Sequence, residues 1–209
     1  RMREAGLIAV VTIDDPSRAV PLARALLDGG VGAIELTLRT PRAIEAMEAV
    51  ATEVPDMLIG AGTVLTTDAL EAVRQAGATF AVAPGFNREI VAAAHEMDFP
   101  FAPGVMTPSE IEGAAAMGCL VLKFYHAGLA GGLSALKALT GPYAHLGLTF
   151  IPLGGVNEDN LGEWIAEPAI LAVGGSWIAP RSSISGGEFE AVQERAAAAA
   201  AIARKERTS

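Results

Sequence analysis

Ala33-Ile34-Glu35-Leu36-Thr37-Leu38-Arg39 alternates strictly, so a strand through it carries Ala33, Glu35, Thr37 and Arg39 on one face and Ile34, Leu36 and Leu38 on the other. In a closed barrel the polar face of such a strand is the interior one, and the apolar face meets the helices packed outside. Working outward from this stretch, short β-rich runs alternate with helical patterns along the chain. Strands are expected at 7–13, 33–38, 57–61, 80–83, 100–102, 120–124, 149–152 and 170–173.

Between the first two strands, Ala19, Leu22, Ala23, Leu26 and Leu27 recur at helical spacing, and Gly29-Gly30 stop the helix. The same logic gives helices over 68–75, ending at Gly77, and over 108–117, ending at Gly118 and opened by Thr107 as N-cap. The Ala-rich stretch 188–207 reads as a last helix on the outside, with 204–209 frayed. Eight β/α units in 209 residues predict an α/β fold, a (β/α)8 TIM barrel forming a single domain over 1–209. Periodicity alone also allows an open doubly wound sheet. The first strand, however, is followed by Ile13-Asp14-Asp15-Pro16 and not by a dinucleotide-binding G-x-G-x-x-G turn.

A net charge of −9 with no basic block argues against nucleic acid or an anionic membrane as partner, since both reward clustered Lys and Arg. An anionic small substrate then requires a locally positive pocket made by particular residues and backbone amides. No apolar run reaches the ~20 residues of a membrane span. The opening RMREAG does not resemble a secretory leader, so a soluble, cytoplasmic protein is expected. The single cysteine, Cys119, sits in an apolar run and reads as a small buried hydrophobe.

In a barrel the active site gathers at the C-terminal ends of the strands. Lys123 is the most informative residue there. Of three lysines, Lys137 and Lys205 fall in helical segments, whereas Lys123 interrupts Leu120-Val121-Leu122 and Phe124-Tyr125. An amine so placed is either paired with an acid or loses its proton, because burial penalises the ammonium, and a neutral amine attacks carbonyl carbon. The plain alternative is a structural ion pair with Glu35 across the barrel. Glu35, buried near an amine and an arginine, fits proton relay as well as it fits that ion pair. Gly154-Gly155 at the seventh strand end and Gly174-Gly175-Ser176 at the eighth supply the turns whose amides cradle phosphate in such barrels, with a helix expected to start near Glu158. The histidines, His95, His126 and His145, lack metal-ligand spacing, and only His126 falls near the expected pocket rim.

With these residues in hand, the chain resembles the 2-keto-3-deoxy-6-phosphogluconate (KDPG) and 4-hydroxy-2-oxoglutarate (KHG) aldolase family over about residues 6–181. The resemblance rests on Ile34-Glu35-Leu36-Thr37-Leu38-Arg39-Thr40, Gly60-Ala61-Gly62-Thr63-Val64, Ala83-Pro84-Gly85, Pro103-Gly104-Val105-Met106-Thr107-Pro108-Ser109-Glu110, Leu122-Lys123-Phe124, Gly154-Gly155-Val156 and Gly174-Gly175-Ser176-Trp177. It implies a homotrimer of barrels, a small 2-keto acid substrate, and a class I mechanism without metal or cofactor. Lys123 would be the Schiff-base lysine and Glu35 the acid–base residue. Arg39 and Thr63 would hold the carboxylate of the pyruvate half, with Pro84 and Phe124 lining the pocket. Gly154, Gly155, Gly175 and Ser176 would hold the distal phosphate.

Two departures bear on substrate choice. After the lysine, the family commonly reads Phe-Phe-Pro-Ala-Glu, whereas this chain has Phe124-Tyr125-His126-Ala127-Gly128. Before the glycine pair, Leu153 replaces a threonine common in phosphogluconate-type members, and relatives acting on the galactonate epimer carry an apolar residue there. Two further readings stand beside the aldolase: a phosphate-binding isomerase or epimerase, which has no use for a lysine in the sixth strand, and a non-catalytic barrel that binds a keto acid.

Overall fold

The computed structural model describes residues 1–208. Nine strands form: β1 Leu7–Val11, β2 Ala33–Thr37, β3 Leu58–Gly62, β4 Phe80–Val82, β5 Phe101–Ala102, β6 Gly104–Val105, β7 Val121–Tyr125, β8 Thr149–Leu153 and β9 Val173–Gly175. Among the described residues ten α-helices accompany them: α1 Met2–Ala5, α2 Ala19–Asp28, α3 Ala43–Glu53, α4 Thr67–Gln75, α5 Arg88–Glu96, α6 Pro108–Ala116, α7 Gly132–Thr140, α8 Leu161–Ile165, α9 Arg181–Gly186 and α10 Phe189–Thr208. All strand pairs are parallel, as the β/α alternation requires. They make two curled sheets, one ordered β5-β4-β3-β2-β1-β9 and the other β6-β7-β8.

The expected fifth strand, 100–102, is the first half of a longer extended run that Pro103 divides. Proline has no N–H to give to a ladder. β5 therefore pairs with β4, and past the proline β6 pairs with β7. The expected eighth strand, 170–173, is displaced: Ile170 makes a lone parallel bridge to Phe150, and the ladder to β1 begins only at Val173. The last helix runs unbroken to Thr208, against the fraying expected of 204–209, of which Ser209 lies outside the described residues.

Side chains alternate between two cores. Leu7, Ala9, Val11, Ile34, Leu36, Leu122, Phe124 and Phe150 join the large core between strands and helices. Ile8, Val10, Ala33, Leu58, Phe80, Val82, Ala102, Ile151 and Leu153 fill the opposite, inner side. In α2, Ala19, Leu22, Ala23 and Leu26 are buried on the face foreseen from their spacing. The helix stops where α10 crosses it so closely that a Cβ on Gly29 would lie 2.5 Å from the Cβ of Ala196. Among the described residues, no helix is long and apolar enough to cross a membrane.

Thr107 opens α6 with a capping box: its hydroxyl accepts from the Glu110 amide, and Glu110 Oε2 accepts from the Thr107 amide at 2.8 Å and the Met106 amide at 2.9 Å. Partial burial pushes the Glu110 carboxyl up, but these amides and the Thr107 hydroxyl outweigh it and hold the group below the ordinary glutamate range. The stabilisation is thus fully present above about pH 4.3, the value of an unfolded glutamate, and is lost as pH falls through the lowered folded value. Thr107→Ala is expected to cost about 1 kcal/mol at neutral pH, read as a shift of the urea midpoint at constant slope.

Candidate active site

The inner faces of β2 and β7, which lie in different sheets, bring the two chemically informative residues together across the inside of the curl. Lys123 Nζ donates to Glu35 Oε1 at 2.9 Å, and the two side chains are only 5% and 2% exposed. Two charges taken out of water are costly, and their contact with each other offsets that cost. An amine confined beside an acid within hydrogen-bond reach also has the geometry to pass protons to and from a carbonyl adduct.

Two glycines of β3 leave space on this side, Gly62 for the pair and Gly60 for the Phe80 ring. A Cβ on Gly62 would lie 2.1 Å from Glu35 Oε1, and one on Gly60 would lie 2.1 Å from the Phe80 ring, so β3 presents bare backbone to the interior where larger groups lean over it. Gly62→Ala must displace the carboxylate. A loss of about 10²-fold in kcat with the fold retained is expected, because a shift near 1 Å at the reacting groups costs that much; an unchanged kcat would show that the position of Glu35 is immaterial. Beyond the lysine, the Tyr125 ring centroid lies 5.5 Å from Nζ, and this ring forms the wall above the amine.

The remaining expected site residues fall as follows. β2 ends at Thr37, whose buried hydroxyl donates to the Val11 carbonyl at 3.1 Å, and Arg39 follows in the turn with its side chain exposed. Thr63 follows β3 half-buried at φ +62°, a left-handed conformation that a threonine adopts only when its surroundings impose it. Pro84 is exposed past β4, and its backbone approaches Gly104 so closely that a Cβ there would meet the Pro84 carbonyl carbon at 2.2 Å.

Gly154 and Gly155 turn the chain after β8 at φ +88° and +80°. Their carbonyls accept from the Gly128 amide at 2.8 Å and from Asn160 Nδ2 at 3.0 Å. The helix expected near Glu158 starts at Leu161, because the Asn157 and Asn160 side chains first satisfy the amides of the turn. Gly175 is buried under the Trp177 ring, and Ser176 is exposed at the end of β9.

Phe124 is a correction. One residue from Lys123, it lies on the opposite face of β7 and is fully buried in the outer core, so it does not line the pocket as expected. Gly62 and Tyr125 are the contributors that sequence reasoning passed over. The period-two glycines of Gly60-Ala61-Gly62 were the available signal for the first, and position two after the lysine for the second.

Cys119 is buried, and burial pushes its thiol up, in keeping with a small hydrophobe. It borders a cavity of about 540 Å³ at the other ends of the strands, lined by Phe80, Phe99, Phe101, Val121 and Ile151. That cavity contains neither Lys123 nor Glu35, so the chemistry, not the size of a hollow, locates the site.

Residues 1–195 match the family model described as KDPG and KHG aldolase. The chain is 45% identical over 186 residues to the 2-dehydro-3-deoxy-phosphogluconate aldolase of Treponema pallidum (strain Nichols), covering 89% of this chain and 88% of that one. It is 37% identical over 190 residues to the KHG/KDPG aldolase of Escherichia coli (strain K12), covering 91% and 88%. Among solved structures, it is similar to KDPG aldolase from Legionella pneumophila with pyruvate captured as a covalent carbinolamine intermediate. There the TM-score is 0.89 and the identity 39%, covering 95% of this chain and 97% of that one. Matched along nearly its whole length in both sequence and fold, the chain belongs to the KDPG and KHG aldolase family.

Proposed function

We propose that this protein is a class I aldolase that splits a 2-keto-3-deoxy-6-phospho sugar acid, or 4-hydroxy-2-oxoglutarate, into pyruvate and an aldehyde such as glyceraldehyde 3-phosphate. The buried Lys123–Glu35 contact at 2.9 Å carries the reading, and the names of the Treponema and Escherichia relatives support the substrate class.

Lys123 Nζ adds to the C2 ketone and gives a carbinolamine, and Glu35 protonates the departing hydroxyl so that water leaves and an iminium forms. The C3–C4 bond then breaks. Its electron pair moves into the iminium to make an enamine, while the C4 hydroxyl gives its proton to Glu35, directly or through one water, and C4 departs as the aldehyde. Glu35 returns the proton to C3, and hydrolysis of the regenerated iminium releases pyruvate and the free amine. The iminium itself is the electron sink, so this route calls on no metal or cofactor.

Arg39, exposed at the end of β2, and Thr63, at the end of β3, hold the pyruvate carboxylate in this reading, with Pro84 beside them. Gly154, Gly155, Gly175 and Ser176 receive the distal phosphate. The two curled sheets act as one closed (β/α)8 ring and one domain. The division of a single strand by Pro103 and the Phe150–Ile170 bridge between β8 and the approach to β9 support that closure. Leu65, Met106 and Leu129, exposed in the loops after β3, β6 and β7, offer an apolar surface that a homotrimer would cover. The compartment is the cytoplasm.

Lactate dehydrogenase and NADH, which report released pyruvate, test the assignment over three substrates: the phosphogluconate-type acid, its galactonate epimer and 4-hydroxy-2-oxoglutarate. The phosphogluconate-type acid is expected to show the highest kcat/KM. Pyruvate from none of the three would contradict the reading.

A further inference from the structure

The turn between β7 and α7 puts a histidine against the glycine pair that ends β8. The His126 ring lies over Gly154 so closely that a Cβ there would sit 2.5 Å from His126 Cδ2 and 2.7 Å from Nε2. Gly128 and Gly155 close around the same ring, with built Cβ positions 3.8 and 3.7 Å from Cε1. The ring also touches the wall above the amine: its centroid is 5.4 Å from that of Tyr125, which is in turn 5.5 Å from Lys123 Nζ. A continuous path, Lys123 to Tyr125 to His126 to Gly154, thus runs from the reacting amine to the glycine turn.

The hydrogen bonds set the orientation of the imidazole. Nδ1 accepts from the Leu129 amide at 3.4 Å, which in the neutral ring leaves the proton on Nε2. Among the described residues, Nε2 has no hydrogen-bond partner, and the ring is half-buried. The carbonyls of Gly154 and Gly155 are taken by the Gly128 amide and Asn160, so in trans peptides the amides of Gly155 and Val156 point the other way. A fixed donor therefore stands beside a turn whose outward groups are donors too.

We propose that His126 is a specificity-determining residue whose Nε2–H donates to the distal anionic oxygen of the substrate, phosphate or carboxylate, beside the Gly154–Gly155 turn. The proposal rests on the aldolase reading for the location of the reacting carbon and adds to it the side chain that senses the far end. Gly154 is then glycine because the ring occupies the space of a side chain. His126 takes no part in the chemistry at C2, so it acts on substrates according to what they carry at the distal end.

The test compares His126→Phe, which keeps a ring over Gly154 but removes the donor, with the unaltered enzyme. The substrates are the 6-phosphorylated keto acid, 4-hydroxy-2-oxoglutarate and the unphosphorylated 2-keto-3-deoxy sugar acid. For both anion-ended substrates kcat/KM is expected to fall about 10- to 100-fold, mainly through KM, the range of a lost hydrogen bond to a charged group. The substrate without a distal charge and the rate of pyruvate trapping at Lys123 should stay within about twofold. A fall for only one of the two anions identifies which group His126 meets and supports the proposal. An equal fall for all three substrates would assign His126 a purely structural role, and no fall for either anion would remove it from the site; both overturn the proposal. Should the unaltered protein trap no pyruvate at all, the aldolase reading fails first and takes the proposal with it.

Discussion

Lys123→Met is expected to reduce pyruvate release to the uncatalysed level, a loss of at least about 10⁶-fold, with the fold retained. Methionine fills nearly the same volume but has no nitrogen to add to the ketone. The structure attaches a cost to this change, because Glu35 is buried with Lys123 as its bonded partner. Breaking such a pair from one side leaves an uncompensated carboxylate and costs about 3–5 kcal/mol, whereas replacing both members by apolar groups is neutral or favourable. The single variant should therefore unfold at lower urea concentration than the parent. The double variant Lys123→Met, Glu35→Met should recover stability and remain inactive. Retained cleavage in either variant would remove Lys123 from the mechanism.

Glu35→Gln is the second large effect. The amide fills the same space beside Gly62, and its carbonyl oxygen still accepts from the Lys123 amine, so the protein should fold. It carries no proton to exchange. Carbinolamine dehydration, removal of the C4 hydroxyl proton and protonation of the enamine should each slow, and general acid–base catalysis of this kind is worth about 10²–10⁴-fold. Trapping of pyruvate by borohydride should still occur at Lys123, only more slowly, which distinguishes this variant from Lys123→Met. Unchanged kcat would pass the proton transfers to another group.

Most of the β/α alternation was legible because each strand and helix carries its own period, and over 33–37 the polar face of β2 points inward as its alternation required. The displaced eighth strand was not legible: Gly174 and Gly175 make the ladder to β1 without side chains to announce it, while the apolar run before them packs with a single bridge. Pro103 hid β6 in the same way, because a residue without an N–H reads as the end of a strand when it is the break within one. In the site, Lys123 stood out because a lysine seldom interrupts an apolar run, and Glu35 because it shares a face with Arg39. The space that Gly62 gives to Glu35 is an absence of atoms and leaves little trace in a sequence. Phe124 was placed in the pocket on the resemblance alone, although in a strand neighbours in sequence face opposite ways.

The central claim is that the amine of residue 123 forms the covalent bond to substrate, and incubation with pyruvate and borohydride, followed by peptide mass mapping, tests it most directly. The expected result is one reduced pyruvate adduct per chain, on the peptide bearing Lys123 and absent from Lys123→Met. An adduct on Lys137 or Lys205 in its place, or an unmodified protein that nevertheless releases pyruvate from its substrate, would contradict the account.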